Sequence, residues 1–221
     1  MAGYKLLVFD WDGTLMDSPA RIVACFRAAA QDLHLPIPTS EAVRDIIGLG
    51  MRESVLSLYP AATDHDIRQF IARYRHYDAG IDPTPAPLFE GVKEMLIDFE
   101  RREYLLAVAT GKGRRGLDRV LRETELHTVF HFTRCIDEAL SKPHPQMLLD
   151  ILTYTGVDAA DALMVGDTEY DLMMARNAGV GGVGVACGAH PRARLEKCMP
   201  VACLEHTVHF AQWLHGSSVN S

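Results

Sequence analysis

The chain has 221 residues, of which 48% are hydrophobic, and this is enough to bury one sizeable core or a core with a smaller module. Its formal net charge of -7 argues against nucleic acid as a bulk partner, because no excess of Lys and Arg is available to neutralise phosphates. No apolar run approaches the roughly 20 residues of a membrane span, and the five cysteines form no Cys-x-x-Cys pair, so we expect a cytoplasmic protein with reduced thiols.

The first predicted element is a strand over residues 6–9, where consecutive apolar residues end at Asp10. Such a run is typical of a strand buried on both faces, and ligands of open α/β sheets gather where such strands end. Asp12 lies two residues further and can project toward the same side, while Gly13 allows a sharp turn. Neighbouring carboxylates repel each other unless a cation lies between them or one holds a proton, so this pair indicates chemistry on an anionic group.

Two other interpretations of this acidic pair exist. A calcium loop of the EF-hand type requires Gly at its sixth position and Glu at its twelfth, where this chain has Leu15 and Arg21, so we reject it. A solvated turn without function stays open, although such turns rarely follow a fully apolar strand.

The region from about residue 19 to 77 shows helical spacing and no convincing strand, which predicts a small all-α module inserted after the first strand. Its first helix is expected to run from Pro19 to near His34. The proline-rich residues 82–87 lead back out of this module, either as the hinge of a mobile cap or as an ordinary surface loop. We therefore expect a core of residues 1–16 and 84–221 and a helical cap of residues 17–83.

The rest of the chain alternates between apolar runs and helical patterns. The runs at residues 105–109, 129–136, 162–165 and 180–186 predict further strands. Strands that alternate with helices indicate a mostly parallel sheet with helices on both faces, so the expected fold class is α/β. Residues 191–221 are expected to add a final strand, a helix and a frayed tail.

Polar residues that suit phosphate and metal binding follow several of these strands. Thr110 and Gly111 end the second strand, Asp167 follows the fourth, and Asp171 lies one helical turn later. Lys142 precedes a proline that restricts its backbone to an extended conformation and so fixes the direction of the cation. Singly, each has an ordinary alternative: a threonine helix cap, a surface lysine, or a helix N-terminus enriched in acids.

Together, these residues resemble the motifs of the haloacid dehalogenase superfamily, in the right order along the chain. Residues 10–18 match motif I, D-x-D-G-T-[LV]-x-D-S, and Thr110 matches the Ser/Thr of motif II. Lys142 lies in the K-P-x-P form of motif III, and residues 166–171 match G-D-x-x-x-D of motif IV. The resemblance covers about residues 6–188 and is greatest to the phosphoglycolate phosphatase-like branch. It implies a Rossmann-like core with a helical cap inserted after motif I.

The resemblance implies a Mg2+-dependent phosphatase that hydrolyses a phosphoglycolate-like monoester of a small metabolite. Asp10 would attack phosphorus and become an aspartyl phosphate, while Asp12 would donate and then accept a proton. Mg2+ would be held by Asp10, Asp167 and the backbone carbonyl of Asp12, with Asp171 in a supporting role. Two alternatives stay open. One is a sugar phosphomutase of the β-phosphoglucomutase type, and the other is a non-catalytic binding or regulatory protein, against which the retained acids and lysine argue.

Substrate binding divides between the core and the cap. Thr110, Gly111 and Lys142 would bind phosphoryl oxygens, and Lys142 would also neutralise the nucleophile. The cap must then recognise the leaving group. Arg52 follows the glycine-rich residues 48–50, and we expect it to clamp a carboxylate or a second phosphate. The alternative is a solvated arginine that starts the next helix and pairs with a nearby acid. Nothing in the sequence selects an oligomeric state.

Overall fold

The structure is a computed structural model and describes residues 3–216. Within these residues, a parallel sheet has the strand order β3-β2-β1-β4-β5-β6, so β1 lies at its centre between β2 and β4. From the central β1, the chain places β2 and β3 in turn on one side and β4, β5 and β6 in turn on the other, as in Rossmann-like folds. The predicted fold class is therefore confirmed. The strands are β1 (Leu6–Phe9), β2 (Leu105–Thr110), β3 (Phe132–Cys135), β4 (Ala162–Gly166), β5 (Gly181–Val185) and β6 (Ala202–Leu204).

The helices fall into a group that follows β1 directly and a group that connects the remaining strands. The first group is α1 (Pro19–Asp32), α2 (Ser40–Arg44), α3 (Met51–Leu58) and α4 (Asp64–His76), followed by a π-helical turn (Tyr77–Ile81). The second group is α5 (Val92–Arg101), α6 (Arg114–Glu123), α7 (Gln146–Thr155), α8 (Glu169–Asn177), α9 (Arg192–Glu196) and α10 (His209–Gly216), with a 3-10 turn (Ala159–Asp161) before β4. In the described part of the chain, no helix is both long and apolar enough to cross a membrane.

The central strand explains why helices cover both faces of the sheet. All of β1 is fully buried, and successive side chains point to opposite faces. Leu7 and Phe9 pack into a cluster with residues of α5, α6 and α10, whereas Leu6 and Val8 pack into a cluster with residues of α7 and α8. Burial on both faces leaves the carboxyl end of β1 as the place where this strand meets polar groups.

The helices α1 to α4 have a hydrophobic cluster of their own. Phe26 of α1 lies against Phe70 of α4, with ring centroids 5.4 Å apart, and Ile67 is buried beside them. A capping box between Thr63 and Asp66 fixes the start of α4. A separate cluster is what a distinct cap requires, while the cap boundaries at residues 17 and 83 stay a prediction.

Three elements differ from the sequence expectation. The first helix ends at Asp32, because His34 takes a left-handed φ of 53° that no helix continues. The third strand begins only at Phe132, since the apolar residues before it, Val129 and Phe130, fill the core instead of joining the sheet. The five-residue helix α9 was not predicted, because so short an element shows no periodic pattern. Residues 217–221 of the expected tail lie outside the described residues.

Candidate active site

Three parallel neighbours, β2, β1 and β4, bring the polar residues that follow them to one edge of the sheet. Phe9 of β1 is in register with Val108 of β2 and Val165 of β4, so the carboxyl ends of the three strands lie side by side. Asp10 follows Phe9 directly, and Thr110 and Asp167 lie two residues beyond Val108 and Val165. Each of the three is at most 2% exposed. The edge of the sheet therefore gathers two carboxylates and a hydroxyl in a nearly dry site.

Lys142 is fully buried next to Asp10. Its ammonium is 2.8 Å from Asp10 Oδ1 as an ion pair and donates a directed hydrogen bond of 2.6 Å to Asp171 Oδ1. Burial opposes the charged lysine, but the charges of Asp10 and Asp171 outweigh it and raise the pKa of Lys142. Asp171 is itself fixed, because its Oδ2 accepts hydrogen bonds from the backbone N–H and the hydroxyl of Thr168. The lysine is thus held as a cation beside the predicted nucleophile.

A cation site is suggested by the three carboxylates of Asp10, Asp167 and Asp171. Each offers one oxygen, and these oxygens all lie within 4.8 Å of one another. Burial raises the pKa of Asp10 to about 7 against the opposing charge of Lys142, and it raises the pKa of Asp167 well above its usual range. Asp10 Oδ1 receives no directed hydrogen bond from the described residues. A cluster of buried, hard oxygen donors whose charges repel one another fits Mg2+.

The backbone makes room around Asp167. Gly13 and Gly188 both lie so close to its carboxylate that a Cβ atom at either position would overlap Asp167 Oδ2. Thr14 Oγ1 donates to Oδ1 at 2.8 Å, and the backbone N–H of Ala189 donates to Oδ2 at 2.7 Å. These contacts fix the orientation of a carboxylate predicted to bind metal.

Asp12 has a different environment from the other acids. Its Oδ1 accepts a hydrogen bond of 2.7 Å from the Ser18 hydroxyl, and its Oδ2 forms an ion pair of 2.9 Å with Lys112. Its side chain is therefore engaged away from the three-carboxylate cluster. The motif resemblance implies that Asp12 would contact a metal through its backbone carbonyl, which these side-chain contacts leave free to do so. The sequence interpretation missed Lys112; the signal available was a cation directly after the Thr110-Gly111 strand end.

The loop of residues 48–50 brings the cap onto the core. Gly48 takes a φ of 97°, and a Cβ at Gly111 would lie 2.9 Å from the carbonyl oxygens of both Gly48 and Leu49. The backbone N–H of Gly50 donates to Ser141 Oγ at 2.8 Å. The cap loop therefore touches the loops that carry Thr110 and Lys142.

A cavity of about 520 Å3 lies between this cap loop and the strand ends. Arg52 does not line it. Its guanidinium pairs with Asp64 at 2.8 Å, and both side chains are more than half exposed. Arg52 thus occupies the position of the alternative interpretation, a solvated arginine that starts α3 and pairs with an acid. The cavity is lined by the predicted site residues Asp10, Asp12, Thr110 and Gly111, by apolar cap residues, and by Lys112, Arg75, Arg115 and Arg119.

The family model of the haloacid dehalogenase-like hydrolases matches residues 7–185, which is most of the chain and contains every site residue predicted from the sequence. The chain belongs to this family. The resemblance predicted from the motifs is confirmed, and so is the enzyme class, a hydrolase of the phosphatase type.

Named relatives of this hydrolase are phosphatases. The protein named "Probable phosphatase IndB" of Dickeya dadantii is 35% identical over 88% of this chain and 86% of its own length. The N-acetylmuramic acid 6-phosphate phosphatase of Pseudomonas putida is 29% identical over 85% of each chain. A crystal structure named as a predicted phosphoglycolate phosphatase from Haemophilus somnus has a TM-score of 0.83 at 24% identity, covering 95% of this chain and 97% of its own. That last likeness concerns the fold.

Proposed function

We propose that this hydrolase is a Mg2+-dependent phosphatase that cleaves a phosphate monoester of a small metabolite through an aspartyl phosphate on Asp10. The observation that carries the proposal is the fully buried ion pair between Asp10 and Lys142, beside Asp167 and at the floor of the cavity. A carboxylate in such a place is shielded from water and faces the space where a phosphoryl group would lie. Phosphate monoesters react so slowly in water that on the order of 20 kcal/mol must be supplied.

The first half-reaction transfers the phosphoryl group to the protein. A carboxylate oxygen of Asp10 attacks phosphorus in line, and the ester P–O bond breaks. Asp12 binds a proton before this step and donates it to the departing oxygen, while Ser18 and Lys112 orient its side chain. Lys142 neutralises charge on Asp10 and on the phosphoryl oxygens, and the Thr110 hydroxyl donates to one of those oxygens.

The second half-reaction returns Asp10 to its free state. A water molecule attacks phosphorus while Asp12, now a carboxylate, accepts the proton from that water. The aspartyl P–O bond breaks, so inorganic phosphate leaves and Asp10 is regenerated. Asp10, Asp167 and the backbone carbonyl of Asp12 would hold Mg2+, which neutralises phosphoryl charge when bound. Asp171 acts through Lys142, since its two oxygens already accept bonds from Lys142 and Thr168.

The proposal is tested with Asp10→Asn and para-nitrophenyl phosphate as a generic substrate. An amide is a poor nucleophile, so kcat should fall at least about thousandfold, equivalent to ~4 kcal/mol. Chelation with EDTA should stop the wild-type reaction, and Mg2+ should restore it. Asp161→Asn is the matched control, because Asp161 pairs with Lys5 at the opposite edge of the sheet.

Residual activity of Asp10→Asn within tenfold of wild type would rule out Asp10 as the nucleophile. Full activity in EDTA would rule out an essential metal. Release of inorganic phosphate, with no phosphorylated isomer formed, separates hydrolysis from the mutase alternative.

A cytoplasmic location belongs to the same proposal. All five cysteines are free thiols, as expected where the cytoplasm keeps them reduced.

A further inference from the structure

The cavity above Asp10 suggests what kind of leaving group the enzyme takes. On the basis of the proposed phosphatase function, we propose that the leaving group combines an apolar portion with a second negative charge. Arg75 and Arg115 would bind that charge, and an apolar wall of the cap would hold the rest.

The two arginines come from different parts of the chain. Arg75 comes from α4 of the cap, and Arg115 comes from the first turn of α6 in the core. The other cations that line the cavity already have acidic partners: Lys112 pairs with Asp12 at 2.9 Å, and Arg119 pairs with Asp78 at 3.0 Å. Among residues 3–216, neither Arg75 nor Arg115 has an ion pair or a hydrogen-bonding partner. Their guanidinium groups therefore remain available to an anion.

Neighbouring arginines on the same helices behave differently. Arg73 lies two residues before Arg75 and approaches Asp32 at 3.8 Å. Arg114 precedes Arg115 and donates to both carboxylate oxygens of Glu138, at 2.8 and 2.9 Å. Neither of these partnered arginines lines the cavity. Arg75 and Arg115 thus differ from these two neighbours in bordering the cavity without an acidic partner.

Acidic residues in the cavity cancel only part of this positive charge. Asp78 is paired with Arg119, and Asp137 accepts the backbone N–H of Arg114 at 3.1 Å. Asp10 and Asp12 belong to the reaction site and have their own cations, Lys142 and Lys112. Asp137 keeps its negative charge, because a backbone N–H neutralises none, so an incoming anion would find the charges of the two arginines only partly compensated.

Another part of the lining is apolar and comes from the cap. It consists of Ile22, Ile46, Ile47, Leu49 and Met51. The cavity volume of about 520 Å3 lies in the range of sites that enclose whole organic ligands. A two-carbon acid such as glycolate would leave most of this wall in contact with water. A leaving group with an aromatic ring or an alkyl body would cover the wall and gain from its burial.

The test measures binding of phosphonates, which present the phosphoryl charge but contain no ester bond to hydrolyse. The probes are benzylphosphonate, para-carboxybenzylphosphonate and phosphonoacetate, titrated by calorimetry into the protein with Mg2+. We expect para-carboxybenzylphosphonate to bind about tenfold more tightly than each of the others, a difference of ~1.4 kcal/mol. Adding para-xylylenediphosphonate shows whether a carboxylate or a second phosphate is the preferred anion.

The arginines are tested by Arg75→Ala and Arg115→Ala. Each change should weaken para-carboxybenzylphosphonate about fivefold, since partly exposed ion pairs contribute up to ~1 kcal/mol, and should leave benzylphosphonate within about twofold. Arg73→Ala and Arg122→Ala are the controls: each removes one positive charge from the same helix, at a position outside this cavity.

Equal affinities of wild-type protein for benzylphosphonate and para-carboxybenzylphosphonate would overturn the proposal. So would equal losses in the arginine variants and their controls, because only overall charge would then act. Binding needs no turnover, so this result is independent of whether the protein releases phosphate from any monoester. Failure of the phosphatase proposal would instead appear as absent phosphate release.

Discussion

Two residues, Lys112 and Ser18, set the orientation of Asp12, the proposed general acid. Lys112 and Ser18 each engage a different oxygen of Asp12, so the carboxylate has one preferred orientation. Lys112 is almost buried, with 11% of its side chain exposed, and its pKa is raised because the charges of Asp12 and Asp78 outweigh the effect of burial. Small misplacements of reacting groups slow enzymes by up to about a hundredfold. Lys112 is thus a positioning residue for Asp12.

Replacing Lys112 with Met should affect leaving groups unequally. A poor leaving group such as the alkoxide of β-glycerophosphate needs the proton from Asp12, whereas para-nitrophenolate departs without much help. We expect kcat/KM to fall about hundredfold for β-glycerophosphate and less than about fivefold for para-nitrophenyl phosphate. Steady-state kinetics on both substrates checks this, with Lys93→Met, which breaks a surface pair with Glu125, as the control. Equal losses on both substrates would mean that Lys112 acts on the phosphoryl group and not through Asp12.

The residue-level outcome shows what a sequence can reveal about such a site. Asp10, Thr110 and Asp167 were predictable because each follows an apolar strand, and parallel neighbours align their ends. The contact between Lys112 and Asp12 could not be predicted, because it joins two loops that are 100 residues apart along the chain. Arg52 was expected to face the cavity, but the rotation of α3 about its axis turns it toward Asp64, and no local pattern encodes that rotation.

At the scale of elements, the contact between the cap loop and the second strand end is made by backbone against backbone. Gly111 lies so close to the carbonyl oxygens of Gly48 and Leu49 that no side chain fits between them. The sequence indicated a glycine break in the cap helices, but it did not indicate which core loop the break would touch. Hydrophobic periodicity predicts which residues form a helix or strand. It does not predict how the cap and the core pack against each other.

Gly111→Ala should therefore hinder closure of the cap over the site. Its Cβ would lie 2.9 Å from two carbonyl oxygens, and forced overpacking of this kind costs about 1–3 kcal/mol. We expect kcat/KM to fall about 5- to 150-fold with little change in melting temperature, because cap and core keep their own hydrophobic clusters. Gly113→Ala in the same loop is the control, since its Cβ meets only Asp137 Oδ2 at 3.4 Å. Comparable losses in both variants would show that cap contact at Gly111 is not the cause.

At the scale of the whole molecule, the site joins parts of the chain that are far apart in sequence. Asp10 follows β1, Asp167 follows β4, and Lys142 comes from the loop between β3 and α7, so the complete fold must form before the charges meet. In the metal-free protein, the three buried carboxylates repel one another, and the single ammonium of Lys142 cannot neutralise all three. A bound divalent cation would relieve this repulsion only in the folded state, which links metal binding to global stability.

Mg2+ should accordingly raise the melting temperature of the protein. At a concentration about 100 times its dissociation constant, a ligand specific to the folded state adds ~2.7 kcal/mol, or about 5–10 °C for a chain of this size. Thermal melts in EDTA and in Mg2+ measure this shift. Asp167→Asn should reduce it to less than about a third, because the variant loses a charged ligand and its affinity for the ion. Glu169→Gln should retain the shift, since Glu169 pairs with Arg194 outside the carboxylate cluster. If the two variants respond to Mg2+ as wild type does, the stabilising ion binds elsewhere and Asp167 is not its ligand.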